Sequence, residues 1–156
     1  MKVKKQCCVF AGEKFSGDEA DRLLIILSNE IQKMIELNGV RGFISDMSEE
    51  YGLLAAKAVA ELKNKYPFVT LECVAPYEGV ADYWDDAKRD TYFSVIENCD
   101  KFVTAEKKYS DGCFEKQFSL CADNAEYIIC PQCVLEDESY KHKISNLKAV
   151  CIELRR

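Results

Sequence analysis

About six times along its 156 residues the chain passes from a short apolar run to a stretch with helical spacing, and this alternation restricts the fold more than any other feature. The first run covers residues 5–10 and ends at Ala11-Gly12. A helix follows, with Ser16-Gly-Asp-Glu19 as a capping box and Leu23, Leu24, Leu27, Ile31, Met34 and Ile35 recurring on one side. Asn38-Gly39 stops it in the manner of a C-terminal cap. Strand 42–45 then leads to a helix carrying Leu53, Ala55, Ala56, Val59 and Leu62, with Pro67 just beyond its end. Strand 69–74, terminated by Ala75-Pro76, precedes a helix over 84–98 whose inner side holds Tyr92, Val95, Ile96 and Cys99. Strand 101–104, helix 111–123, strand 127–130, a short helix near 136–146 and a last strand over 149–154 complete the chain.

Strands separated by helices pair in parallel, because right-handed crossovers return each strand to the same sheet and cover both of its faces. The expectation is an α/β chain with a three-layer Rossmann-like fold, a mostly parallel sheet of about six strands flanked by helices, forming one domain over 1–156. In such sheets ligands bind outside the carboxyl ends of the strands. The stretches to search are therefore 12–16, 45–52, 76–83, 107–112 and 131–134.

Composition narrows the partners. Hydrophobic residues at 48% and charged residues at 31% are those of a globular chain, not a disordered one. A formal charge of −6 and no basic run longer than Lys4-Lys5 or Lys107-Lys108 argue against nucleic acid, which needs clustered cations. No segment approaches the roughly 20 apolar residues that cross a bilayer, and the apolar part of the amino-terminal segment is too short for a signal peptide. A cytoplasmic location is expected, and a homo-oligomer is left open. The nine cysteines lie scattered inside hydrophobic segments, as reduced core residues do.

Several loops together resemble the YpsA-like branch of the SLOG superfamily, from about Cys7 to Cys130. Cys8-Val-Phe-Ala-Gly-Glu-Lys14 is similar to the family's opening strand and Thr-Gly-His-Arg turn. Gly42-Phe-Ile-Ser-Asp-Met-Ser48, with Ala55-Ala56 after it, is similar to its Phe-Ile-Ser-Gly-Met-Ala and Ala-Ala-Glu segments. The stretch from Leu62 to Pro67 with Thr70-Leu-Glu72, and then Ile96–Asp100 and Tyr109–Cys113, continue the match in order. The resemblance implies a Rossmann-like domain that binds a nucleotide or nucleotide-derived small ligand through Gly12, Glu13, Lys14, Asp46, Met47, Ser48, Gly112 and Lys116.

The departures point to an eroded phosphate site. Glu13 stands where the family has histidine, Asp46 where it has glycine, and Glu49 and Glu50 follow at small or glycine positions. Each carboxylate opposes a bound phosphate by about 1 kcal/mol when close and poorly screened. Helix capping is the expected role of Asp46, Glu49 and Glu50, with contact to a cation or ligand as the alternative. The family's Arg-Asn-Arg cluster is replaced by Gly112-Cys-Phe-Glu-Lys-Gln-Phe118, leaving Lys116 as its cation. Pro131-Gln-Cys-Val-Leu-Glu136 stands in place of a Gly-Gly-Thr loop. The phosphoribohydrolase signature is absent from the sequence, so that activity is not implied and no catalytic residue is assigned.

Two alternatives remain beside ligand binding. A scaffold that kept the fold but lost the pocket would fill the crevice with side chains such as Glu13, Asp46 and Phe114. A redox or zinc protein would use Cys130-Pro-Gln-Cys133, since a Cys-x-x-Cys at a helix start supports thiol exchange. A zinc site would need further ligands, with Cys113 and His142 as candidates. His142, the one histidine, lies between Lys141 and Lys143 and reads as a surface residue. Tyr83 and Trp84 are candidates to stack a base, although Trp84 is expected to pack inward at its helix start.

Overall fold

A computed structural model describes residues 6–9, 19–131 and 135–152. Eleven elements alternate along them: β1 (Gln6–Val9), α1 (Ala20–Asn38), β2 (Gly42–Ser45), α2 (Tyr51–Leu62), β3 (Thr70–Tyr77), α3 (Asp86–Asn98), β4 (Lys101–Glu106), α4 (Cys113–Asp123), β5 (Tyr127–Pro131), α5 (Glu138–Ile144) and β6 (Lys148–Ile152). The strands join in the order β4-β3-β2-β1-β5-β6, and every neighbouring pair is parallel. The α/β class expected from the alternation is the class observed, and the strand order is compatible with a Rossmann-like arrangement.

Successive side chains of a strand point to opposite faces, so a doubly covered sheet builds two cores. Phe43, Leu71, Cys73 and Ile129 pack with Leu27 and Ile31 of α1, Ala55 and Val59 of α2, and Tyr92 and Val95 of α3. Ile44, Val74, Ile128 and Cys130 face the other way, against Phe118 and Cys121 of α4 and Ile144 of α5. All four residues of β2 and all five of β5 are buried. The apolar side read for α1 holds: Leu23, Leu27, Ile31, Met34 and Ile35 are buried. Gly39 ends that helix in the left-handed region, at φ 69°, and Val40 N–H donates to Met34 O at 3.1 Å. The capping box expected before α1 rests on Ser16, which lies outside the described residues.

Several boundaries differ from expectation, three of them at the elements nearest the site. α3 begins at Asp86, because Asp85 is its N-cap and its carboxylate accepts from Lys88 N–H at 2.9 Å; Trp84 precedes the helix. α4 begins at Cys113 rather than 111, with Gly112 at the cap position. β3 runs to Tyr77, through the Ala75-Pro76 expected to end it. Proline lacks an N–H and is tolerated where a ladder has no partner for one. β2 stops pairing at Ser45 opposite Cys73, whereas β3 continues beside β4 to Tyr77 opposite Glu106. Pro76 thus lies where β3 has outrun one neighbour.

At the opposite edge Asp100 joins β3 to the start of β4. Its carboxylate accepts from Leu71 N–H at 2.7 Å and from Lys63 Nζ at 2.6 Å, and its own N–H donates to Leu71 O. Burial opposes the charge, but the Lys63 ammonium and the Leu71 amide outweigh it and hold the carboxyl below its ordinary value. A folded-state pKa below the unfolded value of about 3.9 contributes stability above that value and loses it as pH falls through the folded one. Asp100→Asn is expected to lower the urea midpoint at neutral pH. The gap between variant and parent should shrink as the titration is repeated towards pH 3.

Candidate functional site

The chain steps from β1 outward to β2, β3 and β4, then recrosses the sheet to place β5 on the other side of β1. This reversal makes β1 and β5 a topological switch point, the place outside the strand carboxyl ends where open α/β sheets bind ligands. The segment after β1 carries Gly12, Glu13 and Lys14, which lie outside the described residues. The neighbouring segment at that edge is the turn after β2.

That turn is bonded to itself. Ser45 Oγ donates to Gly52 O at 2.6 Å and accepts from Met47 N–H at 3.1 Å. Asp46 Oδ1 accepts from Ser48 N–H at 3.1 Å and Ser48 Oγ at 2.9 Å, and Ser48 Oγ accepts from Gly52 N–H at 2.8 Å. Asp46 and Met47 are only 2% and 0% exposed. Met47 has φ 54°, a left-handed conformation that costs a non-glycine residue about 1–2 kcal/mol and is held here by the burial of its side chain. Tyr51, also buried, spans from α2 to donate its hydroxyl to Ile129 O of β5 at 3.0 Å. From the other face, Gln117 Nε2 donates to Asp46 O and to Val74 O. Gly112 and Lys116 flank this contact on α4; the space around Gly112 is open, and Lys116 Nζ pairs with Glu106 at 3.1 Å.

Helix capping was the role expected of Asp46, Glu49 and Glu50, and at Glu50 the structure differs. Ser48 supplies the hydroxyl at the helix start, whereas Glu50, at the N-cap position, makes no side-chain cap bond. Glu49 and Glu50 instead hold Lys88 of α3, at 3.0 and 3.1 Å. The hydrogen bond that Lys88 donates to Glu49, then burial against it, then the bond to Glu50, set the balance, and the ammonium is stabilised above its ordinary pKa. Lys88 is a cation beside the 45–52 turn that sequence reading missed. Its signal was the capping aspartate three residues earlier, which places α3's first turn, but nothing in the sequence pairs that turn with residues 49 and 50.

Other candidates separate. Trp84 is half-buried and meets Tyr92 edge-on at 5.4 Å, the inward packing expected, while Tyr83 is 99% exposed. Cys130 is fully buried in the core beneath α4, an environment that suppresses thiolate chemistry; Cys133 lies outside the described residues. His142 is exposed on α5. Among the described residues no group of three or more His, Cys, Asp or Glu side chains is placed to hold a metal, and no helix is long and apolar enough to cross a membrane. Phe114, one of the side chains expected to fill a lost pocket, is 50% exposed at the rim.

Gly52 is required by this arrangement. A Cβ there would overlap the Asp46 carboxylate and stand 2.8 Å from both Met47 N and Ser48 Oγ. Gly52→Ala is therefore expected to destabilise the protein by about 1–3 kcal/mol, measured by urea denaturation.

No curated protein gives a match. The YpsA family, described as the YspA SLOG family, matches over residues 13–146, a span from the segment after β1 to the end of α5. This chain belongs to the YpsA family of SLOG domains.

Proposed function

We propose that this SLOG domain binds a nucleotide or nucleotide-derived small ligand over the C-terminal edge of its sheet, and that it acts as a binding module. The observation that carries the reading is the buried turn 45–52, braced by Gln117 and Tyr51 beside the switch point. A turn held from both faces of the sheet is a preorganised floor, which spares a ligand the cost of ordering it. Asp46, Met47 and Ser48 form that floor and Gly112 and Lys116 the α4 wall, with Gly12, Glu13 and Lys14, which follow β1 in the chain, as further ligand contacts. The phosphate-gripping part is weakened. Ser45 Oγ and Asp46 Oδ1 already take the amides of Met47 and Ser48, and Lys88 is held by two glutamates.

A second reading is favoured by those same bonds: an interaction scaffold in which side chains have replaced the ligand's anion. Thermal shift with AMP, ADP, NAD and ADP-ribose at millimolar concentration separates the two. One millimolar ligand with a Kd of about 0.1 mM stabilises by about 1.4 kcal/mol, which raises Tm by about 3–6 °C in a chain of this size. That rise with at least one of the four is the expected result. Unchanged melting across all four would favour the scaffold.

A further inference from the structure

Three aromatic rings are locked together at the open rim beyond β3 and β4. Tyr77, the last residue of β3, meets Tyr109 edge-on, with centroids 5.6 Å apart and planes at 88°. Tyr109 in turn meets Phe114 of α4 at 6.5 Å and 66°. Such contacts orient rings beyond what burial alone does. Yet Tyr109 remains 63% exposed and Phe114 50%. Their surfaces are held in place without being covered. A ring already fixed by its neighbours loses little further freedom when a planar group stacks on it. Tyr83, at 99% exposure, has no comparable support and would have to be ordered first.

The rim also carries hydrogen-bonding groups beside the rings. Tyr77 is opposite Glu106 in the sheet, and Glu106 holds Lys116 Nζ. Both ends of that ion pair are partly exposed, at 39% and 54%. An acceptor and a donor therefore stand next to the aromatic surface. In the sequence around them Lys107, Lys108 and Lys116 balance Glu106, Asp111 and Glu115, leaving no net charge to select phosphate. Rings with a donor–acceptor margin and no net charge suit a planar heterocycle, because base stacking on an aromatic side chain is tolerant of which base is present.

We propose that Tyr109 and Phe114, backed by Tyr77, form a shelf on which the base of the ligand stacks, with Lys116 and Glu106 addressing its polar edge. This rests on the ligand-binding reading above and narrows its class. The ligand is a nucleoside-type molecule recognised through its base, not a sugar phosphate recognised through its anion. From the shelf the rest of the ligand extends towards the Asp46 turn, which α4 adjoins through Gln117.

Calorimetric titration of the full chain with adenosine, guanosine and ribose 5-phosphate tests the shelf. Both nucleosides should bind and ribose 5-phosphate should not. Tyr109→Ala should weaken nucleoside binding roughly tenfold or more, whereas Tyr109→Phe should stay within about twofold of the parent. Unchanged nucleoside affinity in both Tyr109→Ala and Phe114→Ala overturns the shelf and leaves ligand binding elsewhere on the edge standing. Ribose 5-phosphate binding as tightly as the nucleosides overturns it in the same way. Binding by none of these probes, together with flat melting in the nucleotide panel, overturns both readings. Should Tyr109→Ala fail to fold, saturation transfer from aromatic ring protons to the base protons of adenosine on the parent protein decides the matter, and its absence counts against the shelf.

Discussion

Burial of a parallel sheet on both faces is the constraint on which the rest of this protein depends. A strand buried on one side only would tolerate polar residues at every second position; β2 and β5 have no solvent side, and their residues divide between two cores. The helices that fill those cores cannot all lie on one face. α1, α2 and α3 cover the face reached by the outward steps from β1 to β4, and α4 and α5 cover the face reached by the return. The switch between β1 and β5 follows from that division. So does the gathering of the connecting loops at a single edge, where the proposed ligand site lies.

At that edge, side chains have taken over tasks that bare backbone performs in a phosphate cradle. A glycine-rich turn offers N–H groups to an anion because nothing else uses them. Here Ser45 and Asp46 use them internally, and the packing is close enough that Gly52 has no room for a Cβ. The same carboxylate-rich stretch also quenches a cation, since Lys88 is drawn to Glu49 and Glu50. The ion pairs are partly exposed, so their contribution to stability is screened and small. Their effect on recognition is larger, because an incoming phosphate would have to displace two carboxylates to reach that ammonium. The exposed ring faces of Tyr109 and Phe114 carry no charge to be displaced.

The sequence by itself determined the elements and their type. Helical spacing marked the buried side of α1 residue by residue, and the short apolar runs marked strands whose pairing then had one plausible sense. It also determined that the stretch after β2 is acidic, with Asp46, Glu49 and Glu50 within residues 46–52. Boundaries were less legible. Local chemistry decides a cap, and Asp85 could be recognised as one only once the loop before it was known to turn. Pro76 looked like a strand terminator because the unequal lengths of β2 and β4 are not written in β3.

Tertiary structure alone decided what the polar residues of the site do. Asp46, Glu49 and Glu50 are three carboxylates close together in the chain, and any of them can cap a helix. Only the approach of α3 gives two of them a lysine, and only the missing Cβ of Gly52 leaves room for the third to turn inward. Likewise Tyr77, Tyr109 and Phe114 are isolated aromatics in sequence and a single supported surface in space. The reason is range: periodicity and capping act within a few residues, whereas ion pairs, ring contacts and a glycine's missing Cβ depend on segments that meet only after the sheet has formed.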